Sequence, residues 1–267
     1  KHVTVALSGD GADELFGGYN RHFYSKKWWP LISKIPFNLR NSFVQIYQKF
    51  NFNYLYSSTK DINRLKKALG AIGSRDDLDL YTAYLSEGQS AEHLQNIELN
   101  KKFINYEMYC KDFDVAEKLM ILDTRYYLPD NVLVKVDRAA MSQSLETRAP
   151  YLNSELFKFA IKIPMNHKIK GNKGKLVQRK LLEKYIPKHL IDRPKQGFEP
   201  PLGTWLRGPL KDWGADIINS NNAFNREYYK KDIILERWNQ HQNKDTDWTK
   251  FLWNIISLES WRIENNI

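Results

Sequence analysis

Close to its N-terminus the chain reads Val3-Thr4-Val5-Ala6-Leu7-Ser8-Gly9-Asp10-Gly11-Ala12-Asp13-Glu14-Leu15-Phe16-Gly17-Gly18-Tyr19. Residues 3–7 are short, apolar and rich in β-branched side chains, and a serine and a glycine follow them. This pattern predicts a buried parallel strand that leads into a tight loop. The residues between Gly11 and Gly17 suffice for one or two helical turns.

The loop carries three carboxylates, Asp10, Asp13 and Glu14. Glycines allow close backbone approach to a nucleotide, and carboxylates can hold a Mg²⁺ ion that bridges phosphate oxygens. An ordinary acidic turn that caps a short helix is the alternative, and taken alone the loop slightly favours it. The loop is not a Walker A sequence, because it has no Gly-Lys-Ser/Thr end, and it lacks the fixed acidic positions of an EF-hand.

A second charged segment runs from Leu128 to Leu152, and a third from Asp192 to Phe198. The second embeds five charges among apolar residues, and because buried charges need partners it predicts internal ion pairs. These charges are Lys135, Asp137, Arg138, Glu146 and Arg148. Two of them, Arg138 and Arg148, are expected to tie structural elements together. The third segment places Lys195 on a proline-glycine loop, where a compact cation suits phosphate oxygens. For a single loop lysine, plain solvation is the stronger interpretation.

Composition sets the class of protein. The 267 residues are 42% hydrophobic and 27% charged, which is typical of a globular chain and excludes a disordered or collagen-like one. Mean hydropathy is −0.60, and no run of eighteen apolar residues predicts a membrane span. The net charge of +10 would attract polyanions, but only 13 of the 41 basic residues are arginine, which favours a solvated basic surface.

Cysteine and histidine usage excludes several chemistries. Cys110 is the single cysteine, so neither an internal disulfide nor a multi-cysteine metal site is possible, and a reducing, cytoplasmic compartment is expected. Cys110 lies in an aromatic helical stretch that predicts a core position. The six histidines form no His-Glu-x-x-His pattern and no close pair, so a zinc site or a Ser-His-Asp triad has no support.

The rest of the chain is predicted to be mostly helical. Residues 25–118 show helical spacing and read as a helical insertion or subdomain without visible chemistry. Residues 119–164 read as helical pieces punctuated by Pro129 and Pro150. Residues 175–186 predict an amphipathic helix and 192–210 a loop. In the C-terminal run, Trp248, Leu252, Ile255 and Leu258 share one helical stripe.

Taken in this order, the three charged segments resemble the C-terminal part of the synthetase domain of glutamine-hydrolysing asparagine synthetases, class B. The motifs that carry the resemblance are Ser8-to-Tyr19, Lys135-to-Met141 with Leu145-to-Leu152, and Arg193-to-Phe198. The match covers residues 1–25 and 119–210, and one domain of this type is expected over 1–267. The resemblance implies an α/β fold of the adenine nucleotide α-hydrolase-like (PP-loop ATP pyrophosphatase) type, with a helical C-terminal portion.

The resemblance also implies a reaction. A carboxylate of the substrate attacks the α-phosphate of ATP, and pyrophosphate leaves. When the substrate is aspartate, this is the side-chain carboxylate. Ammonia released from glutamine then displaces AMP, which gives asparagine. Ser8, Gly9 and Asp10 match positions that contact the nucleotide in the family. Asp13 matches an acid that holds Mg²⁺, and Lys195 matches the catalytic lysine. Asp10 is also the candidate base for the attacking ammonia. A homodimer is possible, and no nucleic acid or membrane partner is expected.

Three departures from the family pattern bear on this interpretation. The pyrophosphate loop, serine-glycine-glycine-x-aspartate-serine, is missing and is expected upstream of Lys1 together with the glutaminase domain. The chain opens directly on a strand, which points to a piece of a longer polypeptide, and the fragment alone is expected to be inactive. Asp10 is one methylene shorter than the usual glutamate, and Asn153 stands where aspartate is frequent.

These departures leave three alternatives open. A relative could amidate another carboxylate, such as a uronic acid in surface polysaccharide. A basic nucleic-acid binding module would explain the charge but not the acidic loop, and it would bind with a steep salt dependence. A non-catalytic domain could have kept the fold and lost the activity.

Overall fold

The computed structural model describes residues 3–50, 59–86, 110, 112–192, 200–220 and 229–266. The chain divides into two compact units. The first comprises Lys1–Phe50, Ala68–Leu85 and Ile104–Pro194, and the second comprises Asn51–Lys67, Ser86–Phe103 and Lys195–Ile267.

The first unit contains a small parallel sheet. Strand β1 (Val5–Leu7) pairs with β2 (Glu146–Arg148), with Val5 opposite Glu146 and Leu7 opposite Arg148. The parallel strand is confirmed, but its predicted burial is wrong, because Leu7 is 75% exposed. Val5 and Leu7 share one face of the strand, and both are exposed.

Helices make up most of the described chain, and those of the first unit alternate with short turns. They are α1 (Ala12–Phe16), α2 (Asn20–Ile32), α3 (Phe37–Phe50), α5 (Asp77–Leu85), α6 (Val115–Leu122), α7 (Val134–Met141), α8 (Ser154–Lys162), α9 (Met165–Lys168), α10 (Leu176–Leu182) and α11 (Lys188–Ile191). Helix α4 (Thr59–Ile72) contributes residues to both units. The described parts of 25–118 are largely helical, and their status as an insertion stays a prediction. Within the described ranges, no helix is long and apolar enough to cross a membrane.

A π-helix (Asp123–Leu133) follows α6 and runs directly into α7. Pro129 lies inside it, so the prediction that this proline ends a helix is wrong. In an α-helix the proline ring collides with the i−4 carbonyl, whereas a π turn is wider and bonds i to i+5. Pro150 does mark a boundary, because it opens a 3₁₀ turn (Pro150–Leu152).

A buried carboxylate joins the π-helix to α2. Asp123 is fully buried and accepts two hydrogen bonds from Arg21, at 2.8 Å from Nε and 2.7 Å from Nη2. Nε2 of His22 lies 2.6 Å from the same carboxylate. Burial raises the pKa of the Asp123 carboxyl, but the hydrogen bonds and charges of His22 and Arg21 outweigh that effect and hold the pKa below its ordinary value.

We predict that Asp123→Asn destabilises the fold strongly, because it leaves the Arg21 guanidinium without a counter-charge. Breaking a buried ion pair from one side costs about 3–5 kcal/mol. Urea unfolding of the full-length protein measures this loss. Asp130→Asn, at an exposed position of the same π-helix, should change the free energy of unfolding by less than about 0.5 kcal/mol. Equal effects of the two substitutions would contradict the assigned role.

The second unit is built around an apolar core of its own. Its described helices are α12 (Leu202–Arg207), α13 (Lys211–Asn219), α14 (Lys231–Gln242) and α15 (Thr249–Glu264). Helix α12 lies inside the predicted loop 192–210, because a proline before the first helical residue favours a helix start. The predicted C-terminal stripe is partly wrong: Leu258 is 49% exposed, and Ile256 is buried in its place.

A buried histidine connects α12 to α14. Arg207 Nε donates a hydrogen bond to the backbone carbonyl of His241 at 2.7 Å. Arg207 Nη2 donates a second one to the ring Nδ1 of His241 at 3.1 Å. The backbone N–H of Trp248 also donates to Nδ1, at 3.3 Å. Because Nδ1 accepts, the proton of the neutral ring is on Nε2. Burial lowers the pKa of His241, and the charge of Arg207 lowers it further.

We predict that His241 makes the protein less stable in mild acid. The unfolded chain protonates this residue near pH 6.5, whereas the folded protein keeps it neutral to lower pH. The stabilisation is therefore complete above pH 6.5 and falls below it, by at most about 1.4 kcal/mol per pH unit for one proton.

Urea midpoints of wild type and His241→Asn between pH 5 and pH 8 measure this effect. The urea midpoint of His241→Asn should fall less steeply with decreasing pH than that of the wild type. Burial also lowers the pKa of His22, but both proteins contain His22, so its contribution cancels in the comparison. An unchanged slope in the variant would count against the assignment.

Candidate active site

The parallel pairing brings two of the three charged segments to one edge of the sheet. Parallel strands end on the same side, and the backbone N–H of Ser8 continues the ladder by donating to the Arg148 carbonyl at 2.8 Å. The glycine loop after β1 therefore lies beside the Ala149–Leu152 segment after β2. In open α/β sheets such an edge is where ligands bind.

The loop after β1 is held tightly. Ser8 Oγ donates to Asp10 Oδ2 at 2.8 Å. Gly11 has φ +92°, and a Cβ there would lie 2.8 Å from Leu152 Cδ2, so this turn requires glycine. Gly9 is different, because nothing lies within 4 Å of the position of its missing Cβ. The backbone at Gly9 is consequently open to close approach.

Helix α1 directs its two carboxylates to different surroundings. Asp13 is partly exposed, and its Oδ1 lies 2.9 Å from Lys175 Nζ. Glu14 is only 1% exposed, and its Oε1 accepts a hydrogen bond from the Tyr19 hydroxyl at 2.6 Å. Burial raises the pKa of Glu14. Of the three predicted carboxylates, Asp10 and Asp13 remain accessible and Glu14 is a buried structural group.

Lys175 is a site residue that sequence reasoning missed. Its backbone N–H donates to the Phe16 carbonyl at 3.0 Å, and its φ is +55°. A Cβ at the preceding Gly174 would lie only 1.9 Å from the Gly17 carbonyl oxygen. The loop before α10 is thus pressed against the turn after α1. A glycine directly before a lysine was the available signal, since such a glycine marks close backbone approach.

The charges of the second segment lie at the surface. Lys135, Asp137 and Arg138 are exposed on α7, and none of their side chains makes a hydrogen bond or ion pair with another described residue. Arg148 pairs with Glu146 at 2.7 Å, also in an exposed position. The predicted internal ion pairs are therefore wrong. Helix α7 buries none of its residues, so its charges stay hydrated despite their apolar sequence neighbours.

Residues 193–198 of the third segment, which include Lys195, lie outside the described residues. The catalytic role of Lys195 stays a prediction. Cys110 is buried, as predicted. In the described part of the chain, no group of three or more His, Cys, Asp or Glu residues is placed to hold a metal ion by itself.

Comparison with known proteins bears on this site. The family described as asparagine synthase matches residues 1–263. The chain is 27% identical to asparagine synthetase [glutamine-hydrolyzing] 1 of Bacillus subtilis, over 99% of the chain and 41% of that protein. It is 30% identical to a putative asparagine synthetase [glutamine-hydrolyzing] of Mycobacterium tuberculosis, over 98% of the chain and 39% of that protein.

The chain spans about two fifths of the length of these curated relatives. No solved structure matches it. The family match extends over almost all of the chain and includes the Ser8-to-Tyr19 loop and both later charged segments. The chain therefore belongs to the asparagine synthase family.

Proposed function

We propose that the full-length protein makes asparagine from aspartate, ATP and glutamine-derived ammonia, releasing AMP and pyrophosphate. The observation that carries this proposal is the meeting of the first two motif segments at one strand edge, with Asp10 and Asp13 accessible beside it. The curated relatives compared above are named as an asparagine synthetase [glutamine-hydrolyzing] and a putative one.

The proposed fold is of the adenine nucleotide α-hydrolase-like, PP-loop type. A pair of parallel strands, of which β1 leads into a glycine loop, fits part of such a sheet. We place the pyrophosphate loop and the glutaminase domain in the part of the polypeptide that this chain does not span. The 267 residues alone would then hold half of the ATP site and be inactive.

Ser8, Gly9 and Asp10 are proposed to contact the nucleotide. The open backbone of Gly9 fits this role, because a side chain there would meet only the ligand. Asp10 is fixed by Ser8, which limits the motion of its short side chain.

Asp13 is the proposed Mg²⁺ ligand. Mg²⁺ commonly takes one or two protein carboxylates and completes its shell with phosphate oxygens and water, so one accessible aspartate fits without a protein cage. Lys175 holds Asp13 in place, and a carboxylate has further lone pairs available to an ion. When bound, the ion would neutralise charge on the leaving pyrophosphate.

Lys195 and Asp10 are the proposed catalytic groups. In the first step a carboxylate oxygen of the substrate bonds to the α-phosphorus, the bond to the β-phosphate oxygen breaks, and Lys195 stabilises the developing negative charge. In the second step ammonia bonds to the acyl carbon, Asp10 accepts a proton from it, and AMP leaves with its bonding electrons.

The departure at Asn153 has a structural explanation. Its Oδ1 caps α8 by accepting from the backbone N–H groups of Glu155 at 2.9 Å and Leu156 at 3.2 Å. Asparagine and aspartate are about equally good at this position. Asn153 therefore gives no reason to propose a different substrate. We propose aspartate, and not a uronic acid, as the substrate.

We predict that the full-length protein with ATP, Mg²⁺, glutamine and aspartate yields AMP and asparagine in equal amounts. Lys195→Met and Asp10→Asn should each lower kcat by about a hundredfold or more, because each removes a group that acts in a transition state. The exposed Lys162→Met serves as the matched control and should keep full activity. The 267-residue chain alone should release no AMP.

Other outcomes of this assay separate the remaining possibilities. AMP release with a uronic acid but not with aspartate would exclude aspartate as the substrate. Full activity of both Lys195→Met and Asp10→Asn would exclude the residue roles. No AMP release with either carboxylate would overturn the ligase itself.

We predict that one glycine substitution weakens ATP binding and that another lowers stability. Gly9→Ala should leave the urea midpoint unchanged, since its Cβ enters open space, but should raise KM for ATP by crowding the nucleotide. Gly174→Ala should lower stability by about 1–3 kcal/mol or more, because its Cβ overlaps the Gly17 carbonyl. An unchanged KM for ATP in Gly9→Ala would contradict the nucleotide contact.

A further inference from the structure

A cavity lies within the first unit, apart from the loop after β1. This cavity of about 410 Å³ is bounded by α1, by the segment from Phe113 through α6 into the π-helix, and by α8 and α9. Ser8, Asp10 and Asp13 are not part of its lining. We call it the α6 cavity. Most of its wall is apolar, and Leu15 and Phe157 contribute to it.

The carboxyl groups in this lining already have hydrogen-bond donors. Glu14 accepts from the Tyr19 hydroxyl at 2.6 Å. Glu117 forms a capping box with Asp114, whose backbone N–H donates to Glu117 Oε2 at 2.9 Å. Neither acid is therefore set up to draw a cation into the cavity.

The cations in the lining are in the opposite situation. Lys168 is 4% exposed, and its side chain makes no hydrogen bond or ion pair with any described residue. Arg125 also lines the cavity, is exposed, and likewise forms no hydrogen bond or ion pair in the described part of the chain. With Ile161 it marks the side on which the cavity opens to solvent.

A largely buried lysine without a counter-charge in contact is costly, since buried charges in proteins are normally paired. Burial lowers the pKa of Lys168, and the more distant charges of Glu117 and Asp114 only partly offset this effect. A ligand anion would supply the missing partner. The apolar wall requires the remainder of that ligand to be apolar.

We propose that the α6 cavity binds a small monocarboxylate with an apolar chain. Its carboxylate would accept hydrogen bonds from Lys168 and, at the mouth, from Arg125. Its chain would pack against Leu15, Phe157 and Ile161. The proposal is independent of amide formation, because the lining contains neither Asp10 nor Asp13.

Titration calorimetry of the full-length protein with octanoate and with 1-octanol tests the proposal, without ATP or glutamine present. The two probes share the apolar chain and differ in charge. Octanoate should bind at least tenfold more tightly than octanol, since a charge-assisted hydrogen bond contributes that much. Failure of this binding is distinct from failure of the proposed function, which is measured by AMP release.

Two variants and one control assign the contact. Lys168→Met should weaken octanoate binding tenfold or more and leave octanol binding unchanged, which also shows that the cavity is still folded. Lys170→Met removes an exposed lysine two residues away and should change neither affinity. Ile161→Trp should block both probes, because the indole enters the mouth of the cavity.

Three results would overturn the proposal. They are no octanoate binding at millimolar concentration, equal affinity for octanoate and octanol in wild type, and octanoate binding that survives either Lys168→Met or Ile161→Trp. Loss of both probes in Lys168→Met would show that Lys168 supports the wall rather than the ligand, and this too would overturn the assigned contact.

Discussion

The parallel pairing of Val5–Leu7 with Glu146–Arg148 is the constraint on which the candidate site depends. It closes a very long loop of chain, and such closure is entropically unfavourable. Strands of three residues offer few hydrogen bonds against that cost. The buried ion pair between Asp123 and Arg21 is a second long-range link, because it joins the π-helix, which precedes α7 and β2, to α2, which follows β1 and α1. Both links hold together parts of the chain that are about a hundred or more residues apart.

Helix α1 shows how five residues can serve two environments. Asp13 and Glu14 are adjacent, yet one meets Lys175 near the surface and the other is buried against Tyr19. Adjacent helical positions differ by about 100° around the axis, so they cannot face the same side. The candidate active site and the α6 cavity therefore lie against neighbouring residues of one short helix. Any displacement of α1 would be felt by both.

The sequence predicted the glycine loop and its parallel strand, because these depend on local patterns. It failed where burial is decided by distant packing. The apolar neighbours of Lys135 and Arg138 indicated burial, yet α7 buries none of its residues. Leu7 looked like a core residue but lies on an uncovered face. The contact between Lys175 and Asp13 joins segments far apart in the chain, which no local pattern can predict.

The π-helix between Asp123 and Leu133 determines how α7, which follows it directly, is rotated about the helix axis. Each residue of a helix turns the chain by about 100°, and a π turn accommodates one residue more than an α turn. If one residue were deleted here, the helix could revert to regular α geometry, but α7 would then be rotated by roughly that angle. The turn from α7 into β2 would then leave the helix in another direction, which would disturb the pairing of β2 with β1. The length of this segment is thus as tightly constrained as its residue types.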